Sequence, residues 1–163
     1  MNRETTCAEG GARGALAREA TSALDAMAER ASRRLDRHAA DYGLSDAKLE
    51  MLEVLGCCSG DRTCLYDLGE RLGVTRPNIT KLVDGLERSG LVERLPHPAD
   101  RRMVQAHLTA RGRELAGAAL PGRAERIRAL WDALDDDELA ELVRLLTLAL
   151  SRAPDAAATP AAG

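Results

Sequence analysis

The chain has no phenylalanine, one tryptophan and two tyrosines in 163 residues, so aromatic rings contribute little to its interior. That scarcity excludes a single-strand nucleic-acid binder, which stacks bases on aromatic platforms. It leaves the core to Leu, Val, Ile and Ala, a set that favours helices. Apolar residues still make up 45% of the chain, too many for disorder by composition. No apolar run approaches the roughly 20 residues of a membrane-spanning helix, and no membrane partner is expected. The first residues, Met1–Gly11, are polar and do not read as a secretory leader. Four cysteines without such a leader do not make a secreted disulfide scaffold, and the expectation is a soluble cytoplasmic protein. Nucleophile elbow, phosphate loop and paired catalytic carboxylates are all missing, so neither an enzyme nor a cofactor is expected.

What is present is an uneven charge. The net charge is −3, yet Thr75–Arg113 holds eight Lys or Arg against four acids. That segment is therefore +4 and the remainder −7. A basic patch on an acidic body is the footprint of a DNA binder with one working face.

The segment begins with Gly73-Val74-Thr75-Arg76-Pro77-Asn78, in which Thr75 is placed to cap a helix and Pro77 is tolerated in its first turn. Ile79, Leu82, Val83 and Leu86 then recur at helical spacing as one apolar stripe, and Gly90 can end the helix with positive φ. Pro77, Lys81, Asp84 and Arg88 point the other way, flanked by Asn78 and Thr80. A helix presenting an amide, a hydroxyl and basic groups from its first half fits a DNA major groove.

The rest of the chain frames that helix. Residues 1–12 lack periodicity and are expected to be disordered. A long amphipathic helix over 15–42 carries Leu24, Met27, Ala31, Leu35, His38 and Tyr42 on one face. Ser45 can cap a second helix built on Leu49, Leu52, Val54 and Leu55, which ends at Cys57-Cys58. A short third helix shows Leu65, Leu68 and Leu72 on one side and closes at Gly73. Two strands follow the central helix: Leu91–Leu95, and Val104, Ala106 and Leu108 alternating with polar residues. The turn between them, Pro96–Arg102, is rich in Pro and charge.

The fold expected is thus mainly α with a small two-stranded wing, and residues 45–120 form a winged helix-turn-helix. Thr109 can cap the next helix, in which Pro121-Gly122 predicts a kink or short break. Asp135–Asp137 starts a last helix with apolar residues on more than one side. Residues 153–163, rich in Ala and Pro, are expected to be a disordered tail.

Two motifs carry a resemblance to a known family. Asp100-Arg101-Arg102 followed by Leu108-Thr109-Ala110-Arg111-Gly112 is similar to the D-x-R, L-T-x-x-G wing pattern of the MarR family of bacterial transcriptional regulators. Leu68–Thr75, continuing into Pro77, Thr80, Val83 and Leu86, is a second match in the right order. The resemblance covers roughly residues 15–150 and implies a homodimer on double-stranded operator DNA. Its dimerisation helices would be 15–42 and 123–151. It implies Thr75, Arg76, Pro77, Asn78, Thr80 and Lys81 in the major groove and Arg102 in the minor groove, with Asp100 steadying Arg101 and Arg102. The implied function is that of a regulator, a repressor in the simplest form, released by a small molecule or other signal. Its effector pocket would be lined by His38, Tyr42 and the second helix.

The hydroperoxide-sensing variant of the family does not transfer, because Cys7 precedes the first helix and tyrosines are scarce. Nor does the zinc-sensing variant, since His38, His97 and His107 are the only histidines. Cys57, Cys58 and Cys64 cluster at one turn and are open to two readings: a thiol or soft-metal sensor, or small apolar filling. The competing function from another class is a winged helix that binds a partner protein. Its weakness is the basic wing, which such a module does not need.

Overall fold

The computed structural model describes residues 11–58, 62–97 and 103–152. Among these, six helices and three strands follow in the order α1 (Ala12–Ala40), α2 (Asp46–Gly56), β1 (Arg62–Cys64), α3 (Leu65–Leu72), α4 (Arg76–Arg88), β2 (Val92–Pro96), β3 (Val104–Leu108), α5 (Ala110–Arg128) and α6 (Asp136–Arg152). The expected disordered ends, residues 1–10 of the first and all of 153–163, lie outside the described residues, as do Asp100, Arg101 and Arg102.

The chain divides into two compact units, Met1–Ile127 and Arg128–Gly163. In the first, α2 supplies the centre of the core, with Leu49, Met51, Leu52 and Leu55 fully buried. Met51 takes the interior place expected of Val54, which is only partly buried. Leu68 of α3, Ile79, Val83 and Leu86 of α4, and Leu91, Val92, Ala106 and Leu108 of the strand region close around α2. From α1 only Leu35, His38 and Ala39 are buried, so the apolar stripe of its first half stays open in this chain.

The sheet has three strands where two were expected. β3 lies in the middle, antiparallel to β2 from Val92↔Leu108 to Pro96↔Val104, and antiparallel to β1 from Arg62↔His107 to Cys64↔Gln105. At three residues β1 is too short to display an alternating pattern, and it forms because β3 offers it a free edge.

Three local expectations change. Neither Ser45 nor Thr75 makes a side-chain capping bond, although both stand at the N-cap in extended conformation. At α2 the missing acceptor comes from another helix: the Asp46 N–H donates to Asp36 Oδ1 of α1 at 3.0 Å. Pro121, finally, does not break its helix, since α5 runs through it to Arg128. The carbonyl that loses its backbone donor is that of Gly117, which is exposed, so water can solvate it.

The second unit contains α6, which begins with a reciprocal cap. Asp135 Oδ1 accepts from the Glu138 N–H at 2.8 Å and Glu138 Oε2 from the Asp135 N–H at 3.0 Å. None of its residues is buried.

Candidate DNA-binding surface

The helix-turn-helix is set by two glycines. Gly73 ends α3 at φ 62°, and the Val74 N–H donates back to the Gly69 carbonyl at 3.1 Å. Gly90 does the same after α4 at φ 67°, with Leu91 N–H on the Leu86 carbonyl at 3.0 Å. A left-handed residue at each place lets the chain reverse directly off the helix. Between them α4 turns Ile79, Val83 and Leu86 inward. Thr75, Arg76, Pro77, Asn78, Thr80 and Lys81 are all exposed, so the six residues form one open surface over the first half of α4. Thr80 Oγ1 donates to the Arg76 carbonyl at 3.1 Å. Asp84, expected to point outward with them, is half-buried.

The reason is Arg94 on β2. Its guanidinium reaches back across α4 and donates to Asp84 Oδ1 at 2.6 Å, Glu87 Oε2 at 2.5 Å and the Thr80 carbonyl at 3.3 Å. Partial burial acts to lower the Arg94 pKa, but the two carboxylate hydrogen bonds and their charges prevail and raise it. Arg94 therefore belongs to the scaffold of the patch, although the sequence counts it among the basic residues of the working face. Arg88 and Arg113 are also tied to backbone, Arg88 Nε to the Asp84 carbonyl at 3.2 Å and Arg113 to the Leu108 carbonyl at 2.9 Å.

The Leu-Thr-x-x-Gly motif proves to be a joint. Thr109 Oγ1 donates to the Gly90 carbonyl at 2.8 Å and accepts from the Gly112 N–H at 3.0 Å. The Thr109 N–H donates to the Leu91 carbonyl at 3.1 Å. A Cβ on residue 112 would stand 2.0 Å from the Leu91 oxygen, so only glycine lets α5 approach the start of the wing this closely. The motif thus locks the end of α4, the base of the wing and the first turn of α5 together. Beyond it β2 and β3 stay paired to Pro96↔Val104, and the His97 N–H donates to the Met103 carbonyl at 2.9 Å.

His38 and Tyr42, the candidates for an effector pocket, are engaged with α5. His38 is buried and its Nε2 lies 2.8 Å from the Ala119 carbonyl, so Nε2 carries a hydrogen. The Tyr42 hydroxyl donates to the Ala118 carbonyl at 3.2 Å, and the two rings meet edge to face at 5.3 Å. Gly122 makes room for the imidazole, since a Cβ there would stand 2.8 Å from His38 Cε1.

Beside them lies an ion cluster around a buried arginine, which no sequence motif announces. Arg123 of α5, 7% exposed, donates to Asp46 Oδ1 at 2.7 Å and to Glu53 Oε2 at 2.6 Å. Burial acts against its charge, and the Asp46 hydrogen bond with the charges of Asp46, Glu53 and Glu50 more than offsets that, so its pKa is raised. The partners lie 77 and 70 residues away along the chain, beyond the reach of any local pattern.

The three described cysteines stand in three environments: Cys57 exposed, Cys58 intermediate and Cys64 buried, all with free thiols. Cys58 donates its S–H to the Val54 carbonyl at 3.1 Å and accepts from Arg71 at 3.3 Å. Among the described residues no group of three or more His, Cys, Asp or Glu is arranged to hold a metal ion. No described helix is long and apolar enough to cross a membrane.

The MarR family model matches residues 49–104, from α2 to the start of β3. The HTH-type transcriptional repressor YetL of Bacillus subtilis is 33% identical over 112 residues, 69% of this chain and 67% of that protein. A MarR family transcriptional regulator from Streptomyces coelicolor, solved in complex with DNA, aligns with a TM-score of 0.79 at 24% identity, over 84% of this chain and 87% of that one. A mutant MarR from Escherichia coli, solved with operator DNA, aligns with a TM-score of 0.72 at 26% identity, over 80% of this chain and 92% of that one. With its helix-turn-helix and the first strand of its wing matched by the family model, and a third of the aligned residues shared with YetL across two thirds of both proteins, the chain belongs to the MarR family of transcriptional regulators, which are not enzymes.

Proposed function

We propose that this regulator is a homodimer that binds operator DNA sequence-specifically and acts as a repressor, its binding relieved by a small molecule or another signal. The observation that carries the reading is the open row from Thr75 to Lys81, presented by a helix whose opposite face is fixed in the core. Thr75, Arg76, Asn78, Thr80 and Lys81 read or hold the major groove, with Pro77 setting the first turn. Arg102 enters the minor groove from the wing tip, and Asp100 steadies Arg101 and Arg102 with charge-assisted bonds. Repression is supported by the name of YetL, and operator binding by the DNA complex of the Escherichia coli relative. The dimer rests on the apolar residues that α6 and the first half of α1 leave exposed, among them Leu16, Leu24, Val143, Leu145 and Leu150.

The test is selection of duplexes from a random library, followed by footprinting upstream of the protein's own gene. A pseudo-palindrome with half-site centres about 10 base pairs apart is expected, one helical turn, so that both recognition helices meet the same face. Recovery of no preferred sequence, or full binding by a monomer, would overturn the proposal. For the thiols we favour the structural role, because Cys58 already spends its hydrogen on the end of α2. A gel shift that responds to oxidant in the wild type, and not in Cys57→Ser/Cys58→Ser/Cys64→Ser, would reverse that preference.

A further inference from the structure

Arg94 is a basic residue of the DNA-binding region whose side chain turns back onto the protein. It sits on β2 opposite Ala106 of β3, two residues before the strand ends at Pro96. Its side chain keeps only 24% exposure and spans three positions of α4, Thr80, Asp84 and Glu87, which lie one above another on the helix. One planar group therefore connects the strand that carries the wing tip to the helix that carries the row Thr75–Lys81.

Toward the working end of α4 the packing beside this connection is interrupted. There a cavity of about 160 Å³ separates Met103 and Val104, at the start of β3, from Arg76, Ile79 and Thr80. Beside that cavity, which Cys64, Leu65 and Tyr66 also line, the guanidinium fork ties β2 to α4. Charge points the same way. Asp84 and Glu87 are partly exposed carboxylates on the recognition helix, and without a cation between them they would repel a nearby phosphate backbone.

We infer that Arg94 is a positioning residue for DNA recognition: it fixes the angle between the wing and α4 and neutralises Asp84 and Glu87, acting through those groups and not through a DNA contact of its own. The inference rests on the operator-binding function proposed above. A guanidinium is suited to the task because its planar fork holds two carboxylates and a carbonyl at once, which an ammonium cannot match. The consequence is that operator preference depends on this residue more strongly than DNA affinity in general does.

The experiment compares wild type, Arg94→Met, Arg94→Lys and Asp84→Asn/Glu87→Gln. Each is titrated against the tightest duplex recovered by selection and against a scrambled duplex of equal length, at two salt concentrations. Without DNA, backbone amide exchange is followed in β2, β3 and α5. Arg94→Met is expected to lose about tenfold or more on the selected duplex and less than about threefold on the scrambled one. Arg94→Lys should recover only part of the loss.

The double variant gives the decisive sign. It should bind the scrambled duplex more tightly, having lost two negative charges, while its preference for the selected duplex falls. Amide exchange should quicken in β2 and β3 of Arg94→Met and of the double variant, and stay unchanged in α5. If Arg94 touched phosphate instead, Arg94→Met would weaken both duplexes equally and lower the salt slope by about one, and the double variant would tighten both equally, with its preference unchanged. Either result overturns the inference, as does unchanged exchange in the wing. If the wild type prefers no duplex, operator binding itself fails, and the exchange measurement still decides whether Arg94 holds the wing.

Discussion

α4 and α6 are amphipathic helices of 13 and 17 residues, and they solve the problem of their apolar side chains differently. α4 buries Ile79, Val83, Gly85 and Leu86 within its own chain and leaves a polar face open. α6 buries nothing, although it carries six leucines and a valine, and Val143 is 56% and Leu145 48% exposed. The first helix is finished by the fold around it. The second is not, and its exposed apolar surface is what the proposed dimer would cover. Stability of the recognition region should accordingly reside in a single chain, whereas stability of the α6 region should depend on protein concentration.

The largest expected effect lies in the finished region. Leu86→Ala should cost about 2–5 kcal/mol in chemical denaturation, because it empties a site at the junction of α2, α4 and the wing. A loss of a few tenths would mean that α4 is held far more loosely than its burial indicates. Arg123→Met comes next, at about 3 kcal/mol, the low end for a broken buried pair because Glu53 is 42% exposed and water can reach it. Its midpoint of denaturation should fall at every protein concentration alike.

Leu145→Glu in α6 should behave in the opposite manner. The cooperative unfolding of the first unit is preserved, but sedimentation should show a dimer giving way to monomer at micromolar concentrations. A variant that stays dimeric would remove α6 from the interface. Arg102→Ala should leave melting unchanged and weaken operator binding by about 1–3 kcal/mol. Smallest of all is Thr75→Ala. Since the hydroxyl caps nothing, stability should change by no more than a few tenths of a kcal/mol, against about 1 kcal/mol for a true N-cap. A full capping loss on melting would show that the hydroxyl does bond the helix in solution.

The parts of this molecule legible in its sequence are those that local chemistry decides. Gly73 and Gly90 mark the ends of α3 and α4 because positive φ excludes most other residues there, and the spacing of Ile79, Val83 and Leu86 states which face is inside. The alternation of Val104, Ala106 and Leu108 marks β3 and buries Ala106 and Leu108, but at the outer end Val104 is exposed and Gln105 is buried in its place.

What was hidden depends on partners distant in the chain. Arg94 and Arg123 are ordinary basic residues until α4 and α2 bring acids to them. Ser45 looks like a cap, but Asp36 of α1 takes the Asp46 donor. β1 exists because β3 has an unfilled edge, which three residues cannot announce. The motif around Thr109 was visible as a signature, yet its work as a joint follows only from the 2.0 Å that a side chain at residue 112 would have to violate.

α5 has a mechanical consequence of its own. Near one end Gly112 is pressed against the base of the wing, and 11 residues on Arg123 is gripped by Asp46 and Glu53, with Ala118 and Ala119 held by Tyr42 and His38 between. At 1.5 Å per residue these holds are about 16 Å apart on one stiff rod. The helix is therefore a lever arm: a tilt of about 5° imposed at the Arg123 end carries the wing base by about 1.4 Å, as much as separates a good hydrogen bond from none.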